Sequence, residues 1–339
     1  MFGWNRLYDE RVTTGLWAAL SGLPADAVLA AIPPACRRPT DAASGWVEGG
    51  EAIVETPAWA AAGATHFVPS FSALTEAPFS VRLELSARVD GAWSPWVGSV
   101  GLGPAAFTPL ADAPTLGVDV DVFRASAPVE AVRLRARVRA PAPAAVVGAP
   151  WLLALSAATG AAPALAPRAA AARLAVPALS QMESDAAIAH RICSPTCVAM
   201  VLGFWRRPIA PAALAAEMFH AGSDLYGVWP AAILAAARRG IAGYLLRFPD
   251  WTSVVWCLGQ GLPIIASIRY ASGELTGAAV NETSGHLVVL TGIDGDDVLV
   301  NDPAAPNAAS VPRRYRITEL AHVWLERTGV GYVLFPPRR

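Results

Sequence analysis

Charge is sparse in this chain: Asp, Glu, Lys and Arg make up 16% of its 339 residues, and the formal net charge is -1. Basic residues form no long run, which excludes the electrostatic footprint of a nucleic-acid or anionic-membrane binder. Cysteine is sparser still. Cys36, Cys193, Cys197 and Cys257 are the only four. They make no disulfide framework, so free thiols in a reducing compartment are expected. The layout of a secretory signal is also missing, because Pro24, Asp26 and Pro33 interrupt the first apolar segments; a cytoplasmic chain is the expectation. Residues 140–167 carry no charge and have the length of a bilayer span. Pro141, Pro143, Pro150, Pro163 and Pro167 would break a lipid-exposed helix there, so no membrane span is expected. The stretch reads as a buried strand, "WLLALS", followed by a linker.

What is present changes character along the chain. Residues 1 to about 40 suggest one or two short helices and a Pro-rich connector. "SVRLELSARV" and "AVRLRARVR" then alternate apolar with charged residues, the period of antiparallel strands packed on one side. Further short strands are expected around His66–Pro69, Trp96–Val100, Val118–Phe123 and Trp151–Ser156. An Ala/Pro spacer follows. After it, Val198, Val201, Leu202 and Trp205 form a helical stripe, with two more helices, several strands and a closing "GVGYVLF". The chain therefore reads as multi-domain: a helical or irregular segment over 1–45, an all-β sandwich over 46–157, a linker over 158–176 and an α+β domain over 177–337.

The chemistry centres on "RICSPTCVAM". Pro195 marks a helix start, which puts Cys193 against unpaired backbone N–H groups and the positive end of the helix dipole. That setting favours thiolate. Cys197, one turn further in, has apolar neighbours and reads as packing. A nucleophilic thiolate needs a base and an orienting group. His286 opens the strand of "SGHLVVLTGIDGDDVLVNDP", whose return strand ends at Asn301 and Asp302. A three-residue loop 294–296 puts Asp302 on the face of His286; a two-residue loop aligns Asn301 instead. Asp302 is the favoured partner. Gln181 is the candidate side-chain donor to an oxyanion, beside the backbone N–H of Cys193. Ser194 and Trp229 of "GVWP" are the candidate substrate contacts. His190 belongs at the cleft rim or in solvent. No metal or cofactor is expected: C-x-x-x-C lacks a second cysteine pair for zinc, and Asp294, Asp296 and Asp297 read as a solvated turn.

"LSQ…ICSPTCVAMVLGFW" followed by "SGHLVVLTGID…VNDP" resembles the C39-like cysteine peptidases, papain-fold relatives of bacteriocin-processing peptidases of bacteria. The likeness extends over about residues 60 to 336, including a β-rich region upstream. It implies a papain-like fold for the second half, with Cys193 as nucleophile, His286 as general base and acid, Asp302 as orienter and Gln181 at the oxyanion hole. Ser194 stands where glycine is common, and Cys197 where serine is frequent. The expected partner is a peptide or amide substrate, with a glycan or peptide at the β domain, where Trp93 and Trp96 offer rings. The alternatives are a non-catalytic binding protein on the same scaffold and a thiol acyltransferase.

Overall fold

The computed structural model of the chain describes residues 14–43, 45–111, 113–159 and 172–337. Up to residue 159 it is strand-rich: β1 (Thr14–Ser21), β2 (Arg37–Ala42), β3 (Gly45–Glu48), β4 (Glu51–Glu55), β5 (Trp59–Ala60), β6 (His66–Ala73), β7 (Ser80–Val89), β8 (Ala92–Trp93), β9 (Val97–Gly98), β10 (Leu116–Asp119), β11 (Val122–Ala125), β12 (Ala131–Arg139) and β13 (Trp151–Ala158). Two short helices interrupt them, α1 (Ala25–Ala30) and α2 (Pro143–Gly148). One sheet runs β10-β11-β6-β13-β1-β2; the other runs β3-β4-β12-β7-β8, with β5 beside β12 and β9 beside β7.

The alternating segments behave as their pattern dictates. In the β7–β12 register, Leu85 faces Leu134 and Val81 faces Val138, while Glu84 faces Arg135. The apolar set joins Phe67, Phe71, Leu153 and Leu155 of the other sheet in one core. The polar face is covered too. Glu84 is fully buried and accepts from Arg82 (2.5 and 2.8 Å), Arg135 and Arg137 (3.3 Å). Every basic residue of this chain is arginine, and the flat guanidinium suits this packing. Arg133 lies 4.3 and 5.1 Å from the ring centres of Trp93 and Trp96.

The segment expected as helix or irregular chain over 1–45 does hold α1 and a one-turn 3-10 helix at Pro34–Cys36, but it also holds two strands, β1 and β2; residues 1–13 lie outside the described residues. β1 is an interior strand, paired along its whole length with β13. "TGLWAALS" hides this because both its faces are covered: Trp17 and Ala19 join one core, Leu16 and Ala18 another. Strands buried on both sides lose the alternation that betrays a half-exposed strand. The single strand expected at Val118–Phe123 is instead the β10–β11 hairpin.

The second half adds β14 (Ala172–Arg173), β15 (Ala242–Arg247), β16 (Ile264–Tyr270), β17 (Thr283–Asp294), β18 (Asp297–Asn301), β19 (Pro312–Arg316) and β20 (Val330–Phe335), with helices α3 (Cys193–Phe204), α4 (Pro211–Met218), α5 (Trp229–Ala237), α6 (Trp251–Gly259) and α7 (Ile317–Leu320). Its sheet runs β15-β20-β16-β17-β18-β19, with β14 beside β17. Helix α3 is buried from Ser194 to Leu202, so it is a central helix covered on all sides there, where its stripe suggested an amphipathic one. Of the linker expected over 158–176, Ala158 is in β13 and Ala172 in β14; residues 160–171 lie outside the described residues.

Edge strand β15 would leave one row of backbone N–H groups unpaired. Serine hydroxyls of the first sheet take them: Ser72 accepts from Gly243 (3.3 Å), Ser70 from Leu245 (3.3 Å) and Ser156 from Arg247 (3.0 Å). The first sheet thus lies between the second sheet and β15. Among the described residues, no helix is long and apolar enough to cross a membrane.

Candidate active site

Helix α3 begins at Cys193, with Ile192 as its N-cap and no side-chain cap bond. The end of the helix is therefore open toward the thiol. The sulfur of Cys193 is hydrogen-bonded to His286 and accepts from the backbone N–H groups of Leu287 and Ser194. Strand β18 stops at Asn301, opposite Val289, so Leu287 lies beyond its reach and its peptide groups turn to the helix. The Leu287 carbonyl accepts from the thiol of Cys197 at 3.2 Å. One backbone residue thus addresses both sulfurs, as donor to the first and acceptor from the second.

His286 Nε2 lies 2.8 Å from Asp302 Oδ1. That leaves Nδ1 as the ring nitrogen for Cys193. Asp302 is fully buried, and its other partners fix both oxygens: the N–H of Ala304 at 2.9 Å on Oδ1 and the hydroxyl of Tyr315 at 2.6 Å on Oδ2. Tyr315 was not singled out from the sequence. The signal was there, a lone aromatic among alternating arginines in "RRYR", which is the inward position of an edge strand.

The choice between Asp302 and Asn301 is decided by a bulge. Asp294 pairs with Asp297, so the loop has two residues, Gly295 and Asp296, not the three expected. That register alone would put Asn301 on the face of His286. A shift between Leu290 and Gly292, which leaves Thr291 unpaired, moves the return strand by one. Past it Leu290 faces Val300, which sets Asp302 opposite Val288 and on the side of His286. The expected extra residue exists, but within the strand at Thr291 and not in the loop. Asn301 points elsewhere, donating to the carbonyls of Val176 and Pro177, each at 3.2 Å.

The electrostatics follow from this arrangement. Burial alone would push the Cys193 thiol up; the hydrogen bond and charge of His286 and the two backbone donors outweigh it, and the thiol ends below its ordinary value. Burial would push His286 down, but the charge and hydrogen bond of Asp302, with Cys193, carry it up to about 10. Asp302 is held below the usual carboxylate range against its own burial, by His286, Tyr315 and Ala304. The other thiols go the opposite way: burial pushes Cys36 up to about 12 and Cys197 and Cys257 well above the ordinary value.

Gln181 opens a one-turn 3-10 helix and is buried. Its backbone N–H donates to Pro303 at 2.9 Å, and Ser180 donates to Ala305 at 2.5 Å, so it is docked on the loop that follows Asp302. Its Oε1 is buried with no partner among the described residues. Ser194 is a correction: its side chain is fully buried, 3.4 Å from the hydroxyl of Tyr332, and cannot face a substrate. Trp229 is half-buried at the start of α5. His190 is exposed. The rings of Trp93 and Trp96, weighed for a sugar, are already stacked by Arg133. Among the described residues, no group of three or more His, Cys, Asp or Glu could hold a metal ion.

With a lowered thiol, an imidazole and a carboxylate in line, the sequence relationships acquire a physical meaning. Residues 173–332 match the Peptidase_C39 like family. This part of the chain is a C39-like peptidase domain. Solved structures similar to it include a double glycine motif protease from an AMS/PCAT transporter, in complex with the leader peptide (20% identity, 50% of this chain and 97% of that chain, TM-score 0.34). The peptidase domain of Streptococcus ComA, a bi-functional ABC transporter, matches at 16% identity over 48% of this chain and 98% of that one, TM-score 0.35. A C39-like peptidase from Bacillus anthracis matches at 17% over 50% and 98%, TM-score 0.39. No curated protein matches this chain.

Proposed function

We propose that the chain is a thiol-dependent peptide or amide hydrolase, in which a papain-like α+β domain does the chemistry and the N-terminal strands form an accessory β-sandwich. The observation that carries this reading is the continuous hydrogen-bonded line from Cys193 through His286 to Asp302, with Cys193 alone among the four thiols lowered. In this scheme the Cys193 thiolate attacks the scissile carbonyl carbon. The carbonyl π pair moves to oxygen, where the Cys193 N–H and the Gln181 amide stabilise it. Protonated His286 then gives its proton to the leaving amine as the C–N bond breaks, leaving a thioester. Water, deprotonated by the same ring, attacks the thioester; the acid departs and the thiolate returns. Asp302 keeps the ring oriented and favours its charged form throughout.

Loss of one oxyanion donor typically costs about a hundred- to a thousand-fold in turnover, so Gln181→Ala is expected to retain a trace of activity where Cys193→Ala retains none. The experiment is cleavage of a mixed peptide library, read by mass spectrometry, with wild type, Cys193→Ala and Cys197→Ala. Cleavage by wild type and Cys197→Ala but not by Cys193→Ala supports the reading. Equal product patterns for wild type and Cys193→Ala contradict it.

A further inference from the structure

We propose that Asp121, from the strand-rich N-terminal half, is a positioning residue for the wall of the substrate groove beside Cys193; this rests on the peptidase reading above. Asp121 lies in the two-residue turn between β10 and β11, flanked by the Asp119–Val122 pair. Its Oδ2 accepts the backbone N–H of Trp229, the first residue of α5, at 2.6 Å. The cap residue of α5 itself, Val228, has no side-chain cap bond and no side-chain acceptor to offer. A helix start in the peptidase domain is therefore capped by a carboxylate from another sheet.

The turn is strained in order to do this. Val120 holds φ +57°, a left-handed conformation that strains a β-branched residue. Its carbonyl is fixed by the N–H of Val100 at 3.0 Å. The strained turn carries Asp121 into a site where it is only 6% exposed. Burial there pushes its carboxyl up to about 7, although the Trp229 N–H opposes this. A surface turn would need neither the strain nor the desolvation.

What Asp121 holds lies next to the nucleophile. Two residues before Trp229 is Gly227, where a Cβ would stand 3.9 Å from Ser194 Cβ, so the Gly227–Trp229 segment runs past the start of α3. The charge of Asp121 also reaches Tyr332, whose hydroxyl is 3.4 Å from Ser194 Oγ. By contrast, His286 and Asp302, which activate Cys193, hang on β17, on the end of β18 and, through Tyr315, on β19. Asp121 thus governs how a substrate chain lies against the thiol, while the activation of the thiol is independent of it.

Two alkylating probes on the full-length chain separate these roles. Iodoacetamide is small and reads the thiolate alone; acetyl-Ala-Ala-Ala chloromethyl ketone must also lie along the groove. Asp121→Ala is expected to slow the peptidyl reagent about tenfold or more, as a displaced groove wall would, with the iodoacetamide rate and its pH midpoint at wild-type values. Asp121→Asn, which keeps an acceptor for Trp229, is expected to recover most of the loss. Should Asp121→Ala not fold, Asp121→Leu, of similar shape and without an acceptor, carries the same expectation. Wild-type peptidyl rates in the variants overturn the proposal, as does a parallel fall with both reagents, which marks a packing role. If wild-type Cys193 reacts with iodoacetamide as an ordinary thiol, the peptidase reading fails first and this inference with it.

Discussion

Cys193 and Cys197 sit one helical turn apart, and their surroundings push them in opposite directions. Leu287 donates its N–H to the first sulfur and its carbonyl accepts a hydrogen bond from the thiol of the second, so the same strand residue favours one thiolate and one thiol. Cys197→Ala is therefore expected to leave the titration of Cys193 in place. Tyr315 gives a second test at this scale. Its hydroxyl is a charge-assisted donor to a buried carboxylate, and such bonds are worth about 1.5–3 kcal/mol. Asp302 has a folded-state pKa below its unfolded value, so the stability it contributes is present above the unfolded value and lost as pH falls through the folded one. Tyr315→Phe narrows that gap. Urea unfolding should show the variant less stable than wild type at neutral pH, and the deficit should shrink in acid; an equal deficit at both would make Tyr315 a packing residue only. The thiol was legible in the sequence because a helix start has a local signature; the imidazole, expected to open its strand, lies three residues inside β17. Tyr315 and the Leu287 peptide were not legible, since their roles exist only once distant strands are paired.

At the scale of the hairpin, the sequence narrowed the orienting residue to two neighbours and stopped there. Loop length and bulges trade one residue against another, and both leave the same alternation in the strands. Thr291 resolves it: its carbonyl accepts from Leu174 of the segment leading from β14 at 2.7 Å, and its hydroxyl donates to Leu299 at 3.1 Å. Both bonds hold the unpaired residue in place. Deleting Thr291 removes the bulge and leaves Leu290 opposite Val300, so Asp302 is expected to stay on the face of His286. Cys193 should then keep its wild-type alkylation midpoint, provided circular dichroism shows the strands retained. A folded deletion variant in which Cys193 alkylates as an ordinary thiol would refute the register argument. Helix α3 was misread at this scale for a related reason: an apolar stripe tells that one face is buried, and says nothing about whether the other is.

Across the whole molecule, the two halves share structure. Sheet strands β6, β13 and β1 are covered on both faces, and their serines complete the hydrogen bonding of β15. Each unpaired backbone N–H left by Ser70→Ala or Ser72→Ala costs about 1–3 kcal/mol. Calorimetry should show the chain unfolding in one transition, with the double variant lowering it as a whole; two separate transitions would mean independent domains. The division at about residue 46 was misplaced because β1 looks like neither a helix nor an alternating strand. The central claim is that Cys193 is ionised by a charged His286, and the alkylation rate of each cysteine against pH tests it most directly. Cys193 is predicted to react well below the usual thiol midpoint of about 8.5. The charged ring should persist until pH approaches about 10, and His286→Ala should return the thiol to ordinary behaviour. A Cys193 that titrates like a free thiol in wild type, unmoved by His286→Ala, would contradict the account.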